Sequence, residues 1–131
     1  MAVPTGLSHV AMSVPAGTLT VDYRTELLEF YGPLLGWREM ESLRRPDRLT
    51  ISVGAYTYLN VRERPDAMVC FGYEHFGIVV ESPEEAERLW RVLDADSRDV
   101  NLEPLSRDDR GLTTFRFRYL LPLAVEVQAF A

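Results

Sequence analysis

Cysteine and histidine are scarce in this chain: 131 residues contain one cysteine, Cys70, and two histidines, His9 and His75. A lone cysteine excludes an internal disulfide and any Cys-x-x-Cys zinc pattern, which fits a reducing compartment and leaves Cys70 as expected core packing. An excess of positive charge is missing as well, since 14 basic residues stand against 20 acidic ones for a net charge of -6. Nucleic acids and anionic membranes reward clustered Lys and Arg, so neither is expected as a partner. No apolar run approaches membrane-spanning length, and the opening Met-Ala-Val-Pro-Thr-Gly lacks the basic segment and apolar core of a secretory signal. A cytoplasmic protein is expected, with a small molecule or a second copy of itself as partner. Hydrophobic residues make up 47% and charged residues 26% of the chain, which predicts one folded domain over residues 1–131.

What the chain does have is alternation. From Gly6 to Val14, Val10, Met12 and Val14 fall on one face and His9, Ala11 and Ser13 on the other, as in a half-buried strand. Residues from Thr20 to Tyr31 carry apolar side chains at helical spacings, and Gly32-Pro33 is expected to stop that helix. Strands are predicted over Leu35–Ser42, Arg48–Val53 and Tyr56–Arg62, the last two joined by a tight turn at Gly54-Ala55. The order then recurs. Tyr73–Val80 alternates, Ser82-Pro83-Glu84-Glu85 opens a helix running to about Ala95, and strands follow over Val100–Leu105, Leu112–Tyr119 and Leu123–Phe130.

One shift of 66 residues carries His9 onto His75 and Asn60 onto Glu126, so first and last strands of both halves come into register together. The fold class expected is α+β, built from two tandem βαβββ modules, about 6–64 and 72–131, with Pro65-Asp66-Ala67 as the link. One sheet face of each module would be left uncovered, suggesting two modules curling around a shared cavity or pairing across a dimer.

This layout resembles the vicinal oxygen chelate superfamily, which includes glyoxalase, fosfomycin-resistance, bleomycin-resistance and extradiol dioxygenase proteins. The resemblance covers nearly the whole chain. It rests on Leu7-Ser8-His9-Val10-Ala11-Met12-Ser13-Val14, the passage Glu29 to Trp37, Glu74-His75-Phe76-Gly77-Ile78-Val79-Val80, Phe115-Arg116-Phe117-Arg118 and Ala124-Val125-Glu126-Val127. It implies a curved, cup-shaped mixed sheet and, in metal-dependent members, a divalent ion held by the residues that here are His9, His75 and Glu126. Two imidazoles and a carboxylate suit Fe, Mn, Zn or Ni and leave positions for a substrate to chelate through vicinal oxygens. It also implies a homodimer, with the cup built within one chain or across the subunit contact.

Departures from the family pattern narrow the chemistry. Asn60 stands where glyoxalase-type isomerases place a glutamate or glutamine, and an amide is no general base. Extradiol enzymes of this layout use further histidines, which this chain lacks, and Ala11 replaces the threonine usual in fosfomycin-resistance proteins. An apolar turn, Tyr119-Leu120-Leu121-Pro122, replaces the usual Asp-Pro-Asp-Gly hairpin and is expected to face a partner subunit.

Bland readings stand beside the sharp ones. A histidine on a strand is commonly a hydrogen-bonded structural residue, and the plainer role for Glu126 is a carboxylate near the chain end paired with a neighbouring arginine. Arg116 either grips a substrate carboxylate or phosphate with two hydrogen bonds or neutralises Glu126. Asn60, Tyr56 and Tyr58 share one parity and are candidate substrate-contacting residues, though the tyrosines would serve a dimer seam as well. Two functions follow: a metal-dependent enzyme acting on a small oxygenated metabolite, or a metal-free binding protein of the bleomycin or antibiotic-resistance type. A regulatory domain that docks a larger chain is the third.

Overall fold

The computed structural model describes residues 1–131 and divides into two compact units, Met1–Val69 and Cys70–Ala131. In the first unit the elements are β1 (His9–Pro15), α1 (Val21–Leu35), β2 (Arg38–Glu39), a 3-10 turn (Glu41–Leu43), β3 (Arg48–Ser52) and β4 (Tyr58–Arg64). Its sheet has the order β1-β4-β3-β2, with β1 parallel to β4 and the other pairs antiparallel. The second unit repeats the plan with β5 (His75–Val79), α2 (Pro83–Asp94), β6 (Ser106–Arg107), β7 (Thr113–Phe117) and β8 (Ala124–Ala129), in the order β5-β8-β7-β6. The chain is therefore α+β, with βαβββ used twice.

The inner ladders obey the 66-residue shift strand by strand. His9 pairs with Tyr58 and Ala11 with Asn60, while His75 pairs with Ala124 and Gly77 with Glu126. Thr50 opposite Asn60 likewise maps onto Arg116 opposite Glu126. Alternation sends Met12, Val14, Leu49, Ile51, Leu59 and Val61 into the first core together with Leu27, Phe30 and Tyr31 of α1. Tyr31 stacks on Trp37 with ring centroids 4.6 Å apart. The second core joins Phe115, Phe117, Val125 and Val127 to Ala86, Leu89 and Leu93, which recur on one stripe of α2. Ser82 caps α2 by accepting from the Glu85 amide at 3.1 Å, and Pro83 occupies the first turn, where its missing N–H costs nothing.

The larger departures from the sequence expectation lie at four places, and the remaining strand ends move by no more than three residues. Helix α1 runs through Gly32-Pro33 to Leu35, because a proline in the last turn removes a single intrahelical bond. The stop is Gly36, left-handed at φ 72°, whose N–H donates to the Gly32 carbonyl at 2.8 Å. The strand expected over Leu35–Ser42 shrinks to Arg38–Glu39, since its apolar start belongs to the helix end and the core. In the second unit, Val100–Leu105 runs beside β7 without forming a ladder: the Arg118 amide donates to Val100 and the Glu103 amide to Arg116, both at 2.9 Å. Asn101 at φ 47° kinks this segment, and Pro104 has no N–H to give. Tyr56, expected as the first residue of a strand, lies instead in the turn before β4 and is 92% exposed. In the apolar turn, Leu121 is buried within the chain, while Tyr119, Leu120 and Pro122 are half-buried.

Candidate functional site

In the second unit, alternation places His75, Glu126, Thr114 and Arg116 on the sheet face opposite the α2-packed core. His75 Nε2 lies 3.4 Å from Glu126 Oε2, and both side chains are little more than a fifth exposed. Two neighbours hold the carboxylate: Thr114 Oγ1 donates to Oε1 and Gln128 Nε2 to Oε2, each at 3.3 Å. The other imidazole nitrogen, Nδ1, sits 2.6 Å from the Tyr73 carbonyl oxygen. A carbonyl only accepts, so Nδ1 carries the proton and Nε2 is left as the nitrogen that faces Glu126. Arg116 Nη1, 3.5 Å from Nδ1, then meets an N–H and makes no hydrogen bond there.

Arg116 does not neutralise Glu126, although the two residues are ladder partners. Its Nε and Nη2 go to Glu103, at 2.8 and 3.3 Å, and its guanidinium lies over the Tyr73 ring at 5.8 Å. Glu103 therefore takes one edge of the fork, and the Nη1 side turns toward His75. Glu103, Ser106, Thr114, Arg116 and Glu126 line a concavity of about 180 Å³. The roles of Glu103 and Gln128 were not anticipated. Gln128 had a signal, because it shares the parity of Glu126 two residues on, whereas Glu103 lies in irregular chain that no periodicity marks.

In the first unit the equivalent face carries His9, Ala11, Tyr58 and Asn60. His9 is exposed, stacks on Tyr58 with centroids 4.9 Å apart and planes 8° from parallel, and has Nδ1 2.8 Å from Ser8 Oγ. Asn60 Oδ1 is buried with no hydrogen-bond partner. Tyr56 lines a separate shallow hollow of about 570 Å³ with Gly6, Leu7 and Ser8. No three His, Cys, Asp or Glu side chains are grouped in the chain so as to hold a metal ion. Cys70 is half-buried, and its thiol is pushed up chiefly by burial and then by Glu74, so it is a poor nucleophile at neutral pH.

The duplicated βαβββ plan defines the fold class: the chain has the vicinal oxygen chelate fold. Among solved structures it is similar to a lactoylglutathione lyase from Agrobacterium tumefaciens, with a TM-score of 0.70, 17% identity, and coverage of 97% of this chain and 95% of that one. It is similar also to a variant of the fosfomycin resistance protein FosX from Listeria monocytogenes, complexed with Mn(II) and 1S,2S-dihydroxypropylphosphonic acid. That match has a TM-score of 0.69 and 16% identity over 98% of this chain and 95% of the other. A glyoxalase/bleomycin resistance protein from Albidiferax ferrireducens T118 matches at TM-score 0.66 and 13% identity, over 95% and 98% of the two chains. No protein-family model and no curated protein sequence matches the chain. No helix is long and apolar enough to cross a membrane.

Proposed function

We propose that the protein is a metal-dependent enzyme of the vicinal oxygen chelate type, acting on a small oxygenated metabolite that chelates a divalent ion through two oxygens. The observation that carries this reading is the His75–Glu126 pair. With Nδ1 committed to the Tyr73 carbonyl, Nε2 and the carboxylate face each other across 3.4 Å, a spacing at which both can bind one cation in place of a proton shared between them. Bonds of about 2.0–2.2 Å to one ion, at right-angled to tetrahedral spacing, put such donors about 2.9–3.4 Å apart. The two donors that the second unit brings together, His75 and Glu126, fit such an ion. His75 and Glu126 would hold the ion with His9 as third ligand, brought by the same chain or by a second copy in a homodimer.

A bound ion would polarise a carbonyl or stabilise an enolate or alkoxide. The protein's own groups do the rest. Thr114 and Gln128 hold the Glu126 carboxylate still. Arg116, braced by Glu103, offers its Nη1 edge to a substrate oxygen, and Tyr58 and Asn60 flank the His9 rung. Asn60 takes no proton, so the reaction is not the glyoxalase type that relies on a carboxylate at that rung. We take the protein to work in the cytoplasm, in keeping with its single thiol.

A second reading, a metal-free binding protein, is favoured by one observation: the His9 ring is already stacked on Tyr58 beside an open hollow at Tyr56. Metal analysis by mass spectrometry separates the two. The first reading expects roughly one divalent ion per metal site after gentle purification, lost in His75→Ala and in Glu126→Gln. Absence of metal, with tight aromatic-ligand binding that EDTA leaves unchanged, would overturn it in favour of the second.

A further inference from the structure

We infer that the first unit carries an oxyanion-binding site of its own, centred on Arg62 and Arg64, for the carboxylate or phosphate of a small metabolite. The charge pattern points to it. In a chain of net charge -6 whose basic residues are all arginine, one sheet face of the first unit holds four cations and no acid. Register places Arg38, Arg48, Arg62 and Arg64 on the face shared by His9, Ala11 and Ser13, while Glu39 and Glu63 have the opposite parity. Arg48 and Arg62 are direct cross-strand partners. Like charges in that relation destabilise a sheet unless something negative lies near them.

The local bonding leaves the cations short of partners. Arg62 is exposed and meets no carboxylate in the chain. Arg48 donates from Nη2 to the Leu43 carbonyl, but its Nε is buried and unpartnered. Arg64 has one competitor, Asp66, at 3.1 Å on the exposed rim. Arg62 and Arg64 line a concavity of about 370 Å³ whose floor is Ala11, Ser13 and Asn60 and whose apolar wall is Met68. That wall is fixed in place, because the Met68 amide donates to Ser13 Oγ at 2.7 Å and the Ser13 amide contacts Met68 Sδ at 3.4 Å. Planar guanidinium groups match carboxylate and phosphate oxygens in pairs, so a ligand with an oxyanion head and a short apolar neighbour fits this hollow. The site uses only first-unit side chains and stands whether or not the protein binds a metal.

The test is a titration of the full-length, isotope-labelled protein, freed of metal with EDTA, with inorganic phosphate and separately with succinate at constant ionic strength. Saturable shifts are expected at the amides of Ala11, Ser13, Asn60 and Arg62 and at the Arg62 Nε–H. The tighter of the two probes names the head group. Arg62→Gln, which removes an exposed side chain and so leaves the fold intact in the same spectrum, should weaken binding roughly tenfold or more. Asp66→Asn should tighten it severalfold by releasing Arg64, whereas Arg110→Gln on a remote loop should change nothing. Shifts that never saturate, that survive Arg62→Gln, that fail to tighten in Asp66→Asn or that vanish in Arg110→Gln would overturn the site.

Discussion

Glu39 shows how one buried carboxylate ties the first unit to pH. Its side chain is only 4% exposed and is gripped by Arg44, with Arg24 3.8 Å away. The hydrogen bond from Arg44 holds its carboxyl below the ordinary 4.5, against the upward push of burial. A carboxylate with a depressed folded value stabilises the native state fully above the unfolded value, and that contribution drains away as pH falls through the folded one. Glu39→Gln should therefore melt well below the parent protein at pH 7, and the gap should close as pH drops below about 4. Thermal melts of both proteins at pH 7, 4 and 3 would show this, and a gap independent of pH would contradict it. Glu103→Gln is expected to differ, since Arg116–Glu103 is a partly exposed pair of 26% and 48% exposure. Exposed pairs contribute about 0–1 kcal/mol, so this variant should keep its melting temperature to within a few degrees while loosening Arg116.

The elements were legible where one rule acted alone. Alternation in His9–Val14 identified the inward and outward faces of β1, because a strand with one wet face has no other way to arrange its side chains, and alternation in Tyr73–Val80 located β5. Ser82-Pro83-Glu84-Glu85 revealed the start of α2 for the same reason. The end of α1 was not legible, because Pro33 competes with the apolar residues around it, of which Trp37 is buried, and a proline in the last turn loses only one hydrogen bond. The outer strands fail similarly: a two-residue edge has too short a pattern to read. Caps at these ends make a quantitative expectation. Gly36→Ala forces a Cβ into the left-handed region, and Ser82→Ala removes the acceptor for the Glu85 amide. Each should cost about 1 kcal/mol, read as a drop in the urea midpoint at unchanged slope.

For the molecule as a whole, the duplication is the most readable feature, since a single shift in the sequence aligns two strands of each half. The pairing of His75 with Glu126 follows from it, because ladder register and parity together leave those side chains on one face, one rung apart. Glu103 and the Tyr73 carbonyl escaped notice because their roles depend on irregular backbone, where no period operates. Assembly is the remaining expectation at this level. Sedimentation should find a homodimer of about twice the 15.0 kDa chain mass, and a strictly monomeric species would require each chain to supply His9, His75 and Glu126 by itself.

The shared rung has a practical corollary. Asn60 and Glu126 hang from equivalent points of two copies of one scaffold, beside Ala11 and Gly77 respectively. Chemistry can therefore be transplanted between the halves by editing a side chain and leaving the backbone alone. Asn60→Glu would write the carboxylate of the second half into the first, near His9, and give the chain the acid–base group that its present alphabet withholds there.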